Sequence, residues 1–104
     1  LKNNPADLEK RSRLAVLLAK RGDRPAAAQE IHRVEQNRGE KTGPLHYRIA
    51  VANELIGDRD KALASLALAI LANYAIDEIR RDPELAALRN DERYARLTAK
   101  AGAK

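Results

Sequence analysis

The sequence Gly22-Asp23-Arg24-x-x-Ala27 returns thirty-five residues later as Gly57-Asp58-Arg59-x-x-Ala62. Each copy lies between two stretches in which apolar residues recur with helical spacing. Gly and Asp together end one helix and begin the next, because Gly adopts left-handed dihedrals and Asp caps free backbone amides. Repetition at this period is typical of proteins built from tandem helical hairpins. We therefore predict an all-α repeat fold.

Composition supports one small helical domain without disulfides. The chain has 104 residues, of which 44% are hydrophobic, and Phe, Trp, Met and Cys are absent. Ala and Leu supply most of the apolar residues, and both favour helices. Without cysteine there is no disulfide, no thiolate nucleophile and no zinc site built on sulfur. The net charge of +5 is spread among interspersed charges of both signs, which is typical of a solvated helical surface.

Turn signals divide the single domain, residues 1–104, into two full repeats and a shortened one. The repeats are predicted at 5–37 and 44–73, and the degenerate third unit, which acts as a cap, at 76–98. Helices are expected over 5–21, from Asp23 to about residue 37, over 44–56 and over 60–73, with Asn4 capping the first and Gly22 ending it. Helix four is apolar around most of its circumference, so we expect neighbours on more than one side of it.

The carboxyl-terminal segment is predicted to cover helix four with short helices. Asp77, Asp82 and Asp91 are placed as their caps, and Pro83 after Asp82 enforces a break between two of them. The third short helix is expected to reach Leu97, and residues 99–104 are expected to fray. The anchoring residues are predicted to be Ile76, Ile79, Leu85, Leu88, Tyr94 and Leu97.

The two units resemble the tetratricopeptide repeat. Unit two carries Ile49, Ala50, Ala62, Leu66 and Ala69 at the offsets of that pattern, and unit one carries Leu14, Ala15, Ala27, Ile31 and Val34. Small residues at Ala15, Ala27, Ala50 and Ala62 let the paired helices approach closely. The tail from Ile79 to Asp91 is similar to the carboxyl end of repeat regions in larger bacterial proteins.

The resemblance implies a right-handed α-solenoid whose first helices line a concave, partner-binding groove. The residues expected there are Ser12, Arg13, Val16, Lys20, Tyr47, Arg48, Val51 and Glu54. Arg13 and Arg48 occupy equivalent positions, and two guanidinium groups one repeat apart can grip a carboxylate. The alternative is that both arginines are solvated or pair with Glu9 and Glu54.

Catalytic, metal and cofactor chemistry is not expected. His32 and His46 have no second ligand at metal-binding spacing, and most acidic residues at helix starts are explained as caps. Ser12 and Ser65 lie within helices, and no glycine-rich phosphate loop is present. The sequence predicts no enzyme, no metal site and no cofactor.

A protein or peptide partner, with some acidic character, is the predicted ligand. The alternative is a regulatory appendage that docks on the catalytic domain of its own parent enzyme, such as a kinase. Three tyrosines are few for a nucleic-acid platform, which disfavours that partner. No membrane span is expected, and the compartment, cytoplasmic or periplasmic, stays open. The apolar first helix predicts either further repeats upstream or self-association.

Overall fold

Helices form all the regular structure in the described part of the chain. A computed structural model describes residues 5–37 and 39–102, and these contain six α-helices and no strand, which confirms the all-α prediction for this part. The helices are α1 (Pro5–Lys20), α2 (Arg24–Gln36), α3 (Gly43–Leu55), α4 (Arg59–Leu71), α5 (Ile76–Arg81) and α6 (Glu92–Gly102). Single turns of 3-10 helix, Pro83–Leu85 and Leu88–Asn90, lie between α5 and α6. The predicted cap Asn4 lies outside the described residues, as does Arg38 in the α2–α3 loop.

The corners of the two helical hairpins have the same geometry. Gly22 has φ +86° and Gly57 has φ +92°, a region that strains residues with a side chain. Asp23 then accepts a hydrogen bond from the Ala26 amide and Asp58 from the Lys61 amide, both at 3.2 Å. Asp58 is thus a helix cap like Asp23. The repeated turn sequence therefore builds the same corner twice.

Alanines line the contact between the helices of each hairpin. Ala15 and Ala27 in the first hairpin, and Ala50 and Ala62 in the second, have no exposed surface. α1 packs on α2 and α3 packs on α4, while α1 also packs on α3. Because an alanine side chain is a single methyl group, the backbones can approach closely at these points. These contacts give a repeat-like helical fold.

Two apolar clusters meet at α3. One joins α1, α2 and α3 through Leu8, Ala15, Ile31, Val34, Leu45, Ile49 and Ala52. The other joins α3, α4 and the tail through Ala50, Val51, Ala62, Leu63, Leu66, Ile79, Leu85, Leu88 and Tyr94. Val16 packs against both clusters. The central helix is therefore α3.

The expectation that α4 has neighbours on more than one side holds only in part, because α3 and the tail both pack against it while the rest of its surface stays open. Leu66 is fully buried, but Leu68 is 47% exposed and Leu71 is 78% exposed. The tail covers only the face that carries Leu63 and Leu66. On the first hairpin, Leu14, Leu17 and Ala28 are exposed as well.

Two of the three predicted caps in the tail form. Asp82 accepts a hydrogen bond from the Glu84 amide, and Asp91 accepts one from the Arg93 amide, each at 2.9 Å. Asp77 lies instead within the first turn of α5, where Ala75 takes the capping position without a side-chain bond. α6 continues to Gly102, beyond the predicted end at Leu97. Among the described helices, none has the length and apolar character needed to cross a bilayer.

Candidate interaction groove

Six of the eight residues expected in the partner-binding groove line one surface pocket of about 300 Å³. They are Arg13, Val16 and Lys20 from α1, and Tyr47, Arg48 and Val51 from α3. Asp82 and Glu84, which follow α5, complete the lining. We call this pocket the α1–α3 groove. It exists because α1 and α3 pack side by side and present equivalent turns to the same surface.

The two arginines of the groove converge on one carboxylate. Arg13 Nη2 lies 3.5 Å from Glu9 Oε2, and Arg48 Nη1 donates a hydrogen bond to Glu9 Oε1. The Arg13 side chain is 68% exposed and that of Arg48 is 24% exposed. The pairing with Glu9 that the sequence offered as an alternative is therefore present. It also demonstrates that both guanidinium groups reach a single carboxylate.

A second carboxylate occupies the other end of the groove. Lys20 Nζ lies 3.4 Å from Glu84 Oε2, and both side chains are partly exposed. Glu84 belongs to the 3-10 turn Pro83–Leu85, so the tail of the chain reaches back to α1. The apolar side chains of Val16 and Val51 complete the lining beside these cations.

Tyr47 connects the groove to the tail through Asp82. Its hydroxyl donates to Asp82 Oδ2, while the other oxygen of that carboxylate accepts from the Glu84 amide. The ring stacks on Tyr74, with 4.4 Å between ring centroids and 14° between planes. Burial raises the pKa of Tyr47 well above its usual value, and the bond to Asp82 raises it further. Asp82 therefore both caps a turn and holds the groove tyrosine.

Replacement of Tyr47 by Phe is expected to reduce the loss of stability at alkaline pH. Because the pKa of Tyr47 is raised on folding, its protonated form stabilises the native state below about pH 10, the value in unfolded chains. That contribution is lost as the pH rises from there toward the folded pKa. Urea unfolding at several pH values from about 8 to about 12 should show a flatter decline in the free energy of unfolding for Tyr47→Phe than for the natural chain. Parallel curves would contradict this assignment.

Glu54 does not line the groove, which corrects its predicted role. Its carboxylate accepts hydrogen bonds from Arg59 Nε and Nη2 at 2.8 and 2.7 Å. The Glu54 side chain is only 9% exposed. Two parallel hydrogen bonds between a guanidinium and a carboxylate make a strong pair with a fixed orientation. The pair therefore holds Glu54 at the α3–α4 corner, away from the groove.

The same arginine links that corner to the tail. Arg59 Nη1 lies 3.5 Å from Asp91, and Arg93 bonds to both Asp91 and Asp60, the latter at 2.7 Å. The Arg93 guanidinium holds the pKa of the Asp91 carboxyl well below its usual range. This network fastens the start of α6 to the start of α4.

Ser12 is also absent from the groove. It is fully buried, and its hydroxyl donates to the backbone oxygen of Glu9 at 2.8 Å. His32 is exposed, whereas His46 is partly buried, and burial lowers the pKa of its imidazole. Within residues 5–37 and 39–102, no three His, Cys, Asp or Glu side chains are grouped so as to hold a metal ion.

Asp82 and Glu84 are the groove residues that sequence reasoning missed, whereas Glu9 was named as a possible partner of the arginines. Glu9 has a local signal, since it lies one helical turn before Arg13. Glu84 has none, because its partner Lys20 is distant in the chain, and Asp82 was interpreted only as a cap. No protein-family model, no curated protein and no solved structure matches this chain.

Proposed function

We propose that this chain is a protein-interaction module whose α1–α3 groove binds an acidic peptide or helix of a partner. We further propose that its hairpins form a right-handed α-solenoid of tetratricopeptide type, closed by the tail. The matching corners at Gly22 and Gly57 and the four fully buried alanines support this arrangement.

The convergence of Arg13 and Arg48 on one carboxylate carries the functional proposal. Each guanidinium offers several donors in a fixed plane, so two of them around one point favour an anionic side chain. Lys20 lies seven residues after Arg13 on α1, which places it about 10 Å further along the helix axis. A partner segment with two carboxylates at that separation and an apolar residue between them matches the groove.

The chain's own carboxylates compete with such a partner. The contacts of Arg13 with Glu9 and of Lys20 with Glu84 are 3.5 and 3.4 Å long and are formed by partly exposed side chains. Exposed ion pairs of this kind contribute at most about 1 kcal/mol. A partner carboxylate can therefore replace them at small cost.

The tyrosines favour a protein partner over a single-stranded nucleic acid. Tyr47 and Tyr74 stack on each other, and Tyr94 is 8% exposed. Single-strand binding uses open aromatic faces on which bases stack. In this chain, two of the tyrosine rings cover each other and the third is buried, so little aromatic surface is open for a base to stack on.

Substitutions on the two sides of the groove's ion pairs should change peptide binding in opposite directions. The probe is a set of fluorescein-labelled twelve-residue peptides, each with two glutamates at a defined spacing. For the peptides that bind, Arg48→Ala is expected to weaken binding roughly tenfold and Arg13→Ala somewhat less. Glu9→Gln should strengthen binding, because it frees both guanidinium groups. Fluorescence anisotropy measures each dissociation constant.

Arg24→Ala is the matched control, because Arg24 is an exposed arginine at the start of α2 and does not line the groove. It removes the same charge from the chain and should leave binding nearly unchanged. If Arg24→Ala weakens peptide binding as much as Arg48→Ala does, the effect comes from the net charge of the chain and not from the groove. Weaker binding by Glu9→Gln, or no binding by any peptide of the set, would refute the proposal.

A further inference from the structure

A second and larger depression, of about 990 Å³, lies among α4, α5 and α6. Its apolar lining comes from Ala67, Ile70, Leu71, Tyr74, Ile76 and Leu97. We call it the α4–α6 cleft. It shares no lining residue with the α1–α3 groove, although Tyr74 of the cleft stacks on Tyr47 of the groove.

Leu71 is an unusual residue to find at the edge of this cleft. It is 78% exposed, the highest value among the exposed large apolar side chains of the described residues, and Leu68 on the same helix is 47% exposed. Burying a leucine side chain contributes roughly 1.5–3 kcal/mol, so this helix face leaves a favourable contact unmade. Because Leu71 projects beside an apolar cleft, it can insert into the same cleft of a second copy of the chain.

Charges of both signs border the cleft. Asp77 comes from α5, and Arg93 and Arg96 come from α6. Arg93 is held by Asp60 and Asp91. The contacts of Asp77 with Arg80 and of Arg96 with Glu92 are 3.6 and 3.4 Å long, and all four side chains are more than 60% exposed. Such pairs are weak, so Asp77 and Arg96 can exchange their present partners for others.

This charge pattern is self-complementary under two-fold symmetry. In an isologous contact, if residue i of one copy meets residue j of the other, the reciprocal contact is also made. Asp77 of one copy can then face Arg96 of the second, and the pair forms twice. Because Leu71 itself lines the cleft, a rotation that set the two clefts face to face would also bring each Leu71 near the opposite cleft.

The other exposed apolar stripe does not have this property. Leu14 and Leu17 share one line along α1 with Lys10 and Arg21, at spacings of four, three and four residues. The charged residues that flank the two leucines on this line are both positive, and Asp7, one turn before Lys10, is held by Arg11. Pairing two copies of α1 in either direction therefore opposes like charges beside the leucines. Self-association through α1, which the sequence suggested, is therefore electrostatically disfavoured.

We propose that the α4–α6 cleft is a homodimer interface in which Leu71 of each copy inserts into the cleft of the second copy. Asp77 and Arg96 pair across the two-fold axis and fix the orientation. The interface leaves both α1–α3 grooves open, so the dimer presents two of them to one partner.

Charge reversal tests the interface. Sedimentation velocity from about 1 μM to about 1 mM, the range of weak complexes, should show a concentration-dependent dimer for the natural chain. Asp77→Arg and Arg96→Asp should each raise the dissociation constant roughly tenfold, because each opposes like charges across the axis. The double variant should restore it to within about threefold. Leu71→Glu should abolish the dimer.

Leu17→Glu is the matched control, since Leu17 is a similarly exposed leucine on α1, 48% exposed, outside the cleft. It should leave the dimer intact, and circular dichroism should show that every variant keeps its helix content. A monomer at all concentrations would overturn the proposal and leave the cleft to a partner of other chemistry. Loss of the dimer in Leu17→Glu but not in Leu71→Glu would also overturn it, as would a double variant that fails to recover.

Discussion

Leu66→Ala is expected to lower the free energy of unfolding by about 3–5 kcal/mol. Leu66 is fully buried where α3, α4 and the tail meet, so its loss leaves a cavity between three elements. A domain of this size has a total stability of about 5–15 kcal/mol, and the variant would lose a large part of it. Urea unfolding followed by circular dichroism measures the change.

Leu68→Ala is the control for that experiment. It removes the same atoms from the same helix, two residues further on, where the side chain is 47% exposed. We expect a loss of about 1 kcal/mol or less, because surface substitutions rarely cost more. Equal losses from the two variants would show that the tail does not cover α4 as described.

Ala62→Leu is expected to destabilise the protein by about 1–3 kcal/mol, through overpacking rather than a cavity. Ala62 has no exposed surface and lies in the α3–α4 contact, so three added carbon atoms must push the helices apart. Ala27→Leu should have a similar cost, since Ala27 is the equivalent residue of the first hairpin and is equally buried. For a domain of about 100 residues, each kcal/mol corresponds to a fall of about 4–8 °C in melting temperature.

Ala64→Leu provides the comparison on the same helix. Ala64 is exposed, so a leucine there adds side-chain volume without a clash, and the expected change is within about 0.5 kcal/mol. If Ala62→Leu is costly while Ala27→Leu is tolerated, the two hairpins do not pack alike. That outcome would remove the basis of the repeat interpretation.

The groove shows where inference from repetition succeeds and where it fails. Arg13 and Arg48 lie in one pocket because equivalent residues of adjacent hairpins face the same side. Glu54 was assigned to the groove by the same reasoning, but it pairs with Arg59 at the α3–α4 corner. The two hydrogen bonds from Arg59 decide where the Glu54 side chain lies, whatever its position in the repeat. The spacing of residues in the sequence does not show that such a partner is within reach.

The same contrast holds for the chain as a whole. The sequence by itself determined the hairpin corners, because the left-handed dihedrals of Gly22 and Gly57 and the caps that follow depend on residues within a few positions. Only the tertiary structure decided that Leu66 is buried while Leu71 is exposed, and that Glu84 reaches Lys20. Both outcomes depend on the path of the tail after α4. That path is set by packing between residues far apart in the chain, for which local patterns carry no signal.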